Sequence, residues 1–301
     1  MPQNTTRHWT ILGAGSIGSL WAMYCYKAGL PFSLIGRKPY TGCLQISAEH
    51  QQWQTDISIQ TAADSSASIT SLLVCTKAQD TQTAIDSVRT RLAKNADVVF
   101  LQNGMAMEAI CPQLPEQNLF AAVTTEAAYQ LAPYDIMHAG KGQTHIGPLN
   151  KQEKQAAQLL CQSLPNSYLE IQPVENISAY LWQKLAINCA INALTVKYQC
   201  RNGELLNKPE ALTTMREVCK EVRAVASALK ITTNFSDLEV TVVSVLNSTA
   251  KNYSSMYQDV AQQRETEIDY LNGYLCQQAE RLQIPCPANQ ALIDLVKELT
   301  K

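Results

Sequence analysis

The feature that most restricts the fold of this chain is a six-residue turn near its start. Residues 9–12 (WTIL) form a short apolar run, followed at once by Gly13-Ala14-Gly15-Ser16-Ile17-Gly18 and then by the helix-compatible SLWAMYCYKAG, which Gly29 closes. The pattern is strand, tight turn, helix. In such a unit Gly13 permits the turn, Gly15 lets a diphosphate approach the backbone at the helix N-terminus, and Gly18 lets the helix pack on the strand. The spacing GxGxxG is weak by itself. Here it lies between an apolar run and a helix, with a second apolar run at 32–35, and that context points to dinucleotide binding.

The end of the second strand indicates which dinucleotide. NAD sites usually place an acid there against the ribose 2′-hydroxyl, whereas this chain has Arg37 and Lys38. A guanidinium pairs with a 2′-phosphate that a carboxylate would repel, so NADP(H) is expected. The plainer alternative is two solvated surface cations.

Alternation of strand and helix continues. Residues 71–76 (SLLVCT) and 97–101 (DVVFL) read as buried strands, with a helix-compatible stretch at 81–92 between them. Ligands in open α/β sheets bind beyond the carboxyl ends of the strands, where Lys77 and Asn103-Gly104 fall. Residues 119–125 (LFAAVTT) extend the series, and the glycine-rich stretch 140–147 suggests a closing hairpin. A helix is expected over 151–164 and a last strand over 168–171, with Pro173 ending the strand-containing half. The expected fold is therefore α/β plus all-α: a Rossmann-type domain over 1–172, then a helical domain over 173–301.

Residues 176–198 (NISAYLWQKLAINCAINALTVKY) are apolar nearly all round, with no Gly or Pro to stop a helix. Lys184, Asn188 and Asn192 recur every four residues, so one ammonium and two amides share a narrow stripe. A buried ammonium or amide without a partner is costly, so the stripe faces either a polar ligand or solvent. Further helices are expected over 209–229, from a capping box at Ser236-Asp237-Leu238-Glu239, over 254–282, and over 291–299 after Pro287. On the long helix expected over 254–282, Glu267 would sit centrally on an apolar face with Met256, Val260, Leu271 and Tyr274. Its carboxylate would need a cation or a donor, and Lys184 is one candidate; a structural ion pair between packed helices is the alternative.

With 301 residues, a net charge of -2 and no run of Lys and Arg, the chain has no general attraction for nucleic acid or an anionic bilayer, and a small-molecule partner is expected. The ten cysteines never fall within fewer than ten positions of one another and the four histidines show no ligand spacing, so no metal is expected. Residues 4–8 form no signal-peptide core and no uncharged apolar stretch reaches about 18 residues, so a cytoplasmic protein with no membrane partner is expected.

Taken together, the motifs resemble those of the ketopantoate reductases (2-dehydropantoate 2-reductases), which make pantoate for pantothenate and coenzyme A synthesis. The likeness runs nearly end to end: LGAGSIG, CTKA at 75–78, QNGM at 102–105 and THIGP at 144–148, then LWQKLAINCAINALT, NGEL at 202–205, NYSSMYQD at 252–259 and TEIDYLNGYL at 266–275. The motifs of the helical half are the more specific. The resemblance implies that Gly13, Ala14, Gly15, Ser16, Ile17 and Gly18 bind the cofactor diphosphate. It implies that Arg37 and Lys77 hold the 2′-phosphate end, that Asn103 lies near nicotinamide and substrate, and that Ala128 lies on the cofactor. Lys184 would be the catalytic acid and Glu267 the acidic active-site residue, with Asn188, Asn192, Asn202 and Ser255 holding a 2-ketoacid. Glu126 departs from the less acidic residue of some members and bears on the local cofactor contacts. An NADPH-dependent reductase of another 2-ketoacid and a non-catalytic NADPH-sensing module are the rival readings, and both monomer and homodimer fit the sequence.

Overall fold

The computed structural model describes residues 7–150, 154–233 and 235–300. The chain divides into two compact units, one of Met1–Gln102 with Ala106–Ile177, the other of Asn103–Met105 with Ser178–Lys301.

The first unit is built on β1 (Trp9–Leu12), α1 (Ser16–Lys27), β2 (Phe32–Ile35), β3 (Tyr40–Ala48), β4 (Gln51–Gln60), β5 (Ile69–Val74), α2 (Thr81–Val88), β6 (Leu92–Phe100), α3 (Met107–Ile110), β7 (Asn118–Thr124), β8 (Ala127–Ala132), β9 (Asp135–Gly140), β10 (Gln143–Pro148), α4 (Lys154–Gln162) and β11 (Glu170–Pro173). One sheet holds all eleven strands in the order β11-β10-β7-β6-β5-β1-β2-β4-β3-β9-β8. Its centre, from β7 through β6, β5, β1 and β2 to β4, is parallel. Central parallel strands are covered on both faces and so must be apolar throughout: every residue of β1 is buried, as are Leu72, Leu73, Val74, Val98, Val99 and Phe100. Leu20, Trp21 and Met23 of α1 pack into the same core as Trp9, Ile11 and Phe120.

The stretch 140–147 is not a hairpin. β9 ends at Gly140 and β10 begins at Gln143, yet β9 pairs with β8 and β3 while β10 pairs with β7 and β11, far apart in the strand order. The chain crosses tightly over residues 125–126: a Cβ on Gly142 would lie 2.4 Å from the Thr125 carbonyl carbon, and the Gly142 N–H donates to the Glu126 carboxylate at 3.0 Å. The expected helix at 151–164 is observed as α4; residues 151–153 lie outside the described residues.

The second unit is helical. It contains α5 (Ile177–Tyr198, whose first residue belongs to the first unit), α6 (Pro209–Ala228), α7 (Leu238–Ser248), α8 (Ser255–Ala261), α9 (Asn272–Arg281) and α10 (Pro287–Leu299). Two local expectations fail here. The capping box at 236–239 does not form: α7 starts at Leu238 without a side-chain cap, and Glu239 pairs with Arg223 of α6. The continuous helix over 254–282 is broken into α8, a 3-10 turn at Ile268–Tyr270, and α9. Gln263 adopts a left-handed φ of 53°, Arg264 turns back on Asp259 with its Nε at 2.9 Å, and Leu271 is non-helical. No described helix is long and apolar enough to cross a membrane.

Candidate active site

The glycine turn of the first unit has the stereochemistry of a diphosphate cradle. Gly13 has a φ of 111°, and a Cβ there would lie 2.9 Å from the backbone of Cys75 and Thr76 at the end of β5. At Gly18 a Cβ would come within 1.9 Å of the Gly13 carbonyl oxygen, so α1 can approach the turn only without a side chain. Gly15 is the opposite case: it caps α1, is exposed, and a Cβ would meet nothing within 4 Å. No side chain caps α1 and no acid lies in its first turn, which leaves its N-terminal dipole and N–H groups to an anion. Ala14, Ser16 and Ile17 are half-buried around this turn. These residues fit a dinucleotide diphosphate.

Arg37 follows β2 with an 89% exposed side chain, 3.8 Å from the Asp80 carboxylate, a pairing too exposed to hold it firmly. Lys77 follows β5, half-buried, and its carbonyl accepts from the Asp80 N–H at 3.0 Å. Arg37 thus lies beside the turn that carries Asp80, and the backbone of Lys77 begins that turn. Ala128, on β8, packs against the same core cluster as Ala14 and Ile17.

Glu126 has an internal role that the sequence did not reveal. Its buried carboxylate pairs with His138 Nε2 on β9 and accepts from Gly142, while His138 Nδ1 bonds the Tyr24 hydroxyl of α1 at 3.0 Å. Burial, then the Glu126 charge, pushes the Tyr24 phenol up to about 12. A motif reading had no access to this, because Tyr24, Glu126 and His138 meet only through the fold.

In the second unit α5 carries the polar stripe inward: Lys184 and Asn188 are half-buried and Asn192 is buried, so none of the three lies on an exposed face. Burial pushes the Lys184 ammonium down from 10.5 to about 8, against the opposing attraction of Glu267. Glu267, 7% exposed, precedes the Ile268–Tyr270 turn and is not on a helix, so its place beside Lys184 arises from the turn rather than from helical periodicity. Its Oε2 accepts from Asn103 Nδ2 at 3.1 Å. Asn103 is held there because Gly104, at a φ of 72°, packs so closely on Tyr270 that a Cβ would lie 2.4 Å from the Tyr270 carbonyl oxygen, and the Met105 N–H donates to that oxygen at 3.3 Å.

The other expected substrate residues separate into two settings. Asn202 is buried and donates from Nδ2 to Thr249 Oγ1 at 2.8 Å, while its Oδ1 has no partner. Ser255 is exposed in the first turn of α8. The neighbouring Ser254 is the buried one, and it joins α8 to α5 through a directed chain: the Tyr257 N–H donates to Ser254 Oγ at 3.0 Å, Ser254 to Thr195 Oγ1 at 2.6 Å, and Thr195 to the Asn192 carbonyl at 2.7 Å. Thr195 was not anticipated; its only sequence signal is its place three residues beyond Asn192 on α5. Among the described residues no group of three or more His, Cys, Asp or Glu is arranged to hold a metal ion.

Two family models match this chain, ketopantoate reductase PanE/ApbA over residues 9–151 and its C-terminal counterpart over 176–300. The chain belongs to the ketopantoate reductase family. A 2-dehydropantoate 2-reductase of Vibrio cholerae is 35% identical over 295 residues, covering 96% of both chains. Among solved structures, a PanE/ApbA family ketopantoate reductase from Ralstonia eutropha JMP134 is 29% identical with a TM-score of 0.87, covering 97% of this chain and 98% of the other. The family's fold is also found in a D-mandelate dehydrogenase solved with NADH and anilino(oxo)acetate, at a TM-score of 0.91 and 23% identity, covering 97% of this chain and 98% of that one.

Proposed function

We propose that this member of the family is an NADPH-dependent 2-dehydropantoate 2-reductase, forming pantoate for pantothenate and coenzyme A synthesis. The first unit would bind the cofactor and the helical unit the ketoacid. The observation that carries the reading is Lys184, an ammonium lowered to about 8 by burial, beside Glu267 on a stripe shared with two amides. Gly13 through Gly18 would hold the diphosphate, Arg37 and Lys77 the 2′-phosphate, and Asn103 and Ala128 would lie along the nucleotide. When bound, NADPH supplies the hydride.

The remaining chemistry belongs to side chains of this chain. Negative charge develops on the ketone oxygen only during reduction, so an oriented ammonium stabilises the transition state more than the ground state. A pKa near 8 leaves Lys184 mostly charged at neutral pH yet willing to give up its proton. Glu267 favours the charged form of Lys184, and Asn103 fixes Glu267. Asn188, Asn192 and Ser255 would orient the ketoacid. Asn202, buried and held to Thr249, would complete that set.

The fold shared with a D-mandelate dehydrogenase keeps a second reading in play, reduction of a different 2-ketoacid, because fold alone does not choose the substrate. The test is consumption of NADPH with 2-dehydropantoate beside pyruvate, 2-oxoisovalerate and a no-substrate control. Selective consumption with 2-dehydropantoate is expected. Reduction of another ketoacid alone would transfer the mechanism to that substrate, and binding of NADPH without any turnover would sink the enzymatic reading.

A further inference from the structure

Ten cysteines are spread along the chain without a spacing that pairs them, yet the fold brings two of the half-buried ones together. Cys276 lies on α9, and Cys286 is the residue that caps α10. Cys276 Sγ lies 3.9 Å from the Cys286 carbonyl oxygen, and Cys286 Sγ lies 3.3 Å from Glu221 Oε2 of α6. Both cysteines line a surface groove with Gly273, Glu280, Gln290 and Lys297, so small oxidants can reach them. We propose that Cys276 and Cys286 form a reversible dithiol–disulfide site, oxidised by hydroperoxides, with Cys276 attacking and Cys286 resolving.

The division of labour follows from the two environments. The neighbouring Cys286 side chain lowers the Cys276 thiol below its usual range, against burial and the charges of Glu221 and Asp294. The Cys286 thiol is held protonated by the Cys276 sulfur, by burial and by the Glu221 carboxylate. Cys276 is therefore the sulfur that reaches the thiolate form first. In the first step its thiolate attacks one oxygen of the peroxide, the O–O bond breaks, and an alcohol leaves after taking up a proton, so Cys276 becomes a sulfenic acid. In the second step Cys286, losing its proton, attacks that sulfur and water leaves. Two thiols and one hydroperoxide give one disulfide, one alcohol and one water.

The surroundings tolerate this change. Oxidation removes one donor from Glu221, but the N–H of Ala288 at 2.7 Å, the N–H of Asn289 at 3.0 Å and Asn289 Nδ2 at 2.7 Å remain on the carboxylate. Those bonds keep the start of α10 capped. Asn289 Oδ1 in turn accepts from Asn272 Nδ2, which also donates to the Cys189 carbonyl of α5, so α9, α10 and α5 stay connected.

The experiment treats the reduced, full-length protein with tert-butyl hydroperoxide, blocks remaining thiols with N-ethylmaleimide, and maps peptides without reduction. The exposed Cys43 serves as the internal reference. The expected result is a 276–286 linked peptide forming roughly tenfold or more faster than Cys43 is lost, and reversed by dithiothreitol. Cys286→Ser should stop the reaction at a Cys276 sulfenic acid that dimedone captures, whereas Cys276→Ser should leave Cys286 a thiol. Maleimide-labelled Cys276 and Cys286 at a dose that oxidises Cys43 would overturn the proposal. A linkage to some other cysteine would do the same.

Discussion

Lys184 offers the most direct test of the mechanism, because its titration should be visible in the rate. Burial moves its pKa from 10.5 to about 8, a net penalty on the charged form of about 3 kcal/mol, while Glu267 acts in the opposite sense. If Lys184 is the acid, kcat/KM for the ketoacid at saturating NADPH should be level through neutral pH and fall about tenfold per pH unit beyond about 8. Glu267→Gln removes the opposing charge and leaves desolvation alone. An opposite charge at close range is worth about 1 to 3 pH units, so the break should move to about pH 7 or below. Lys184→Ala should abolish the break and lower kcat by about two orders of magnitude or more.

The sign also governs stability. The folded-state pKa lies below the unfolded value, so between about 8 and 10.5 the unfolded chain binds the extra proton and this group's contribution rises with pH. Below about 8 its penalty is carried in full. The assay is the pH profile of NADPH consumption for the wild type and Glu267→Gln side by side. A break at the same pH in both, or one that moves upward on loss of the carboxylate, would refute the assignment of the titration to Lys184 under the influence of Glu267.

Other perturbations follow from single contacts. Arg37→Ala should raise the KM for NADPH about tenfold or more and leave that for NADH nearly unchanged; an equal effect on both would remove Arg37 from the phosphate site. Gly18→Ala places a methyl 1.9 Å from the Gly13 carbonyl oxygen and should abolish nucleotide binding in calorimetry while lowering Tm by several degrees. Thr195→Val breaks the chain from Ser254 to the Asn192 carbonyl and leaves the buried Ser254 O–H without its acceptor, so chemical denaturation should show a loss of about 1 to 3 kcal/mol and the KM for the ketoacid should rise.

The parallel centre of the sheet was legible in the sequence because strands covered on both faces must be apolar, and β1 and residues 72–74 of β5, 98–100 of β6 and 119–123 of β7 are nearly so. The strands beyond β2 were not. β4 buries only Thr55, Ile57 and Ile59, alternating with polar residues, and β8 has no buried residue, so neither shows a continuous apolar run. The glycines at 140–147 marked a turn correctly but could not show which strands it joins; that depends on β10 finding β7 and β11. Residues 262–264 likewise hold no Gly or Pro to mark the end of a helix, and the chain turns there with Arg264 bonded back to Asp259. Glu267 stood out for a reason that fails, since it is on no helix; its charge nevertheless acts on Lys184, through a turn that sequence periodicity could not foresee.

The stripe on α5 carries an energetic cost. A penalty of about 3 kcal/mol on one ammonium is a sizeable part of the roughly 5 to 15 kcal/mol that separates a folded domain from its unfolded chain. Buried ion pairs are often no more stabilising than well-packed apolar residues of the same volume, whereas removal of one partner strands the other. Lys184→Met alone should therefore destabilise, because it leaves the Glu267 carboxylate with its ammonium gone and Asn103 still donating. Lys184→Met with Glu267→Gln removes both charges and keeps the Asn103 bond available to an amide oxygen. The double variant should match or exceed the wild type in chemical denaturation, by as much as about 1 to 4 kcal/mol, and reduce no ketoacid. Stability well below that of both single variants would show that the pair holds the helical unit together, and the argument that Lys184 is retained for chemistry would lose its energetic support.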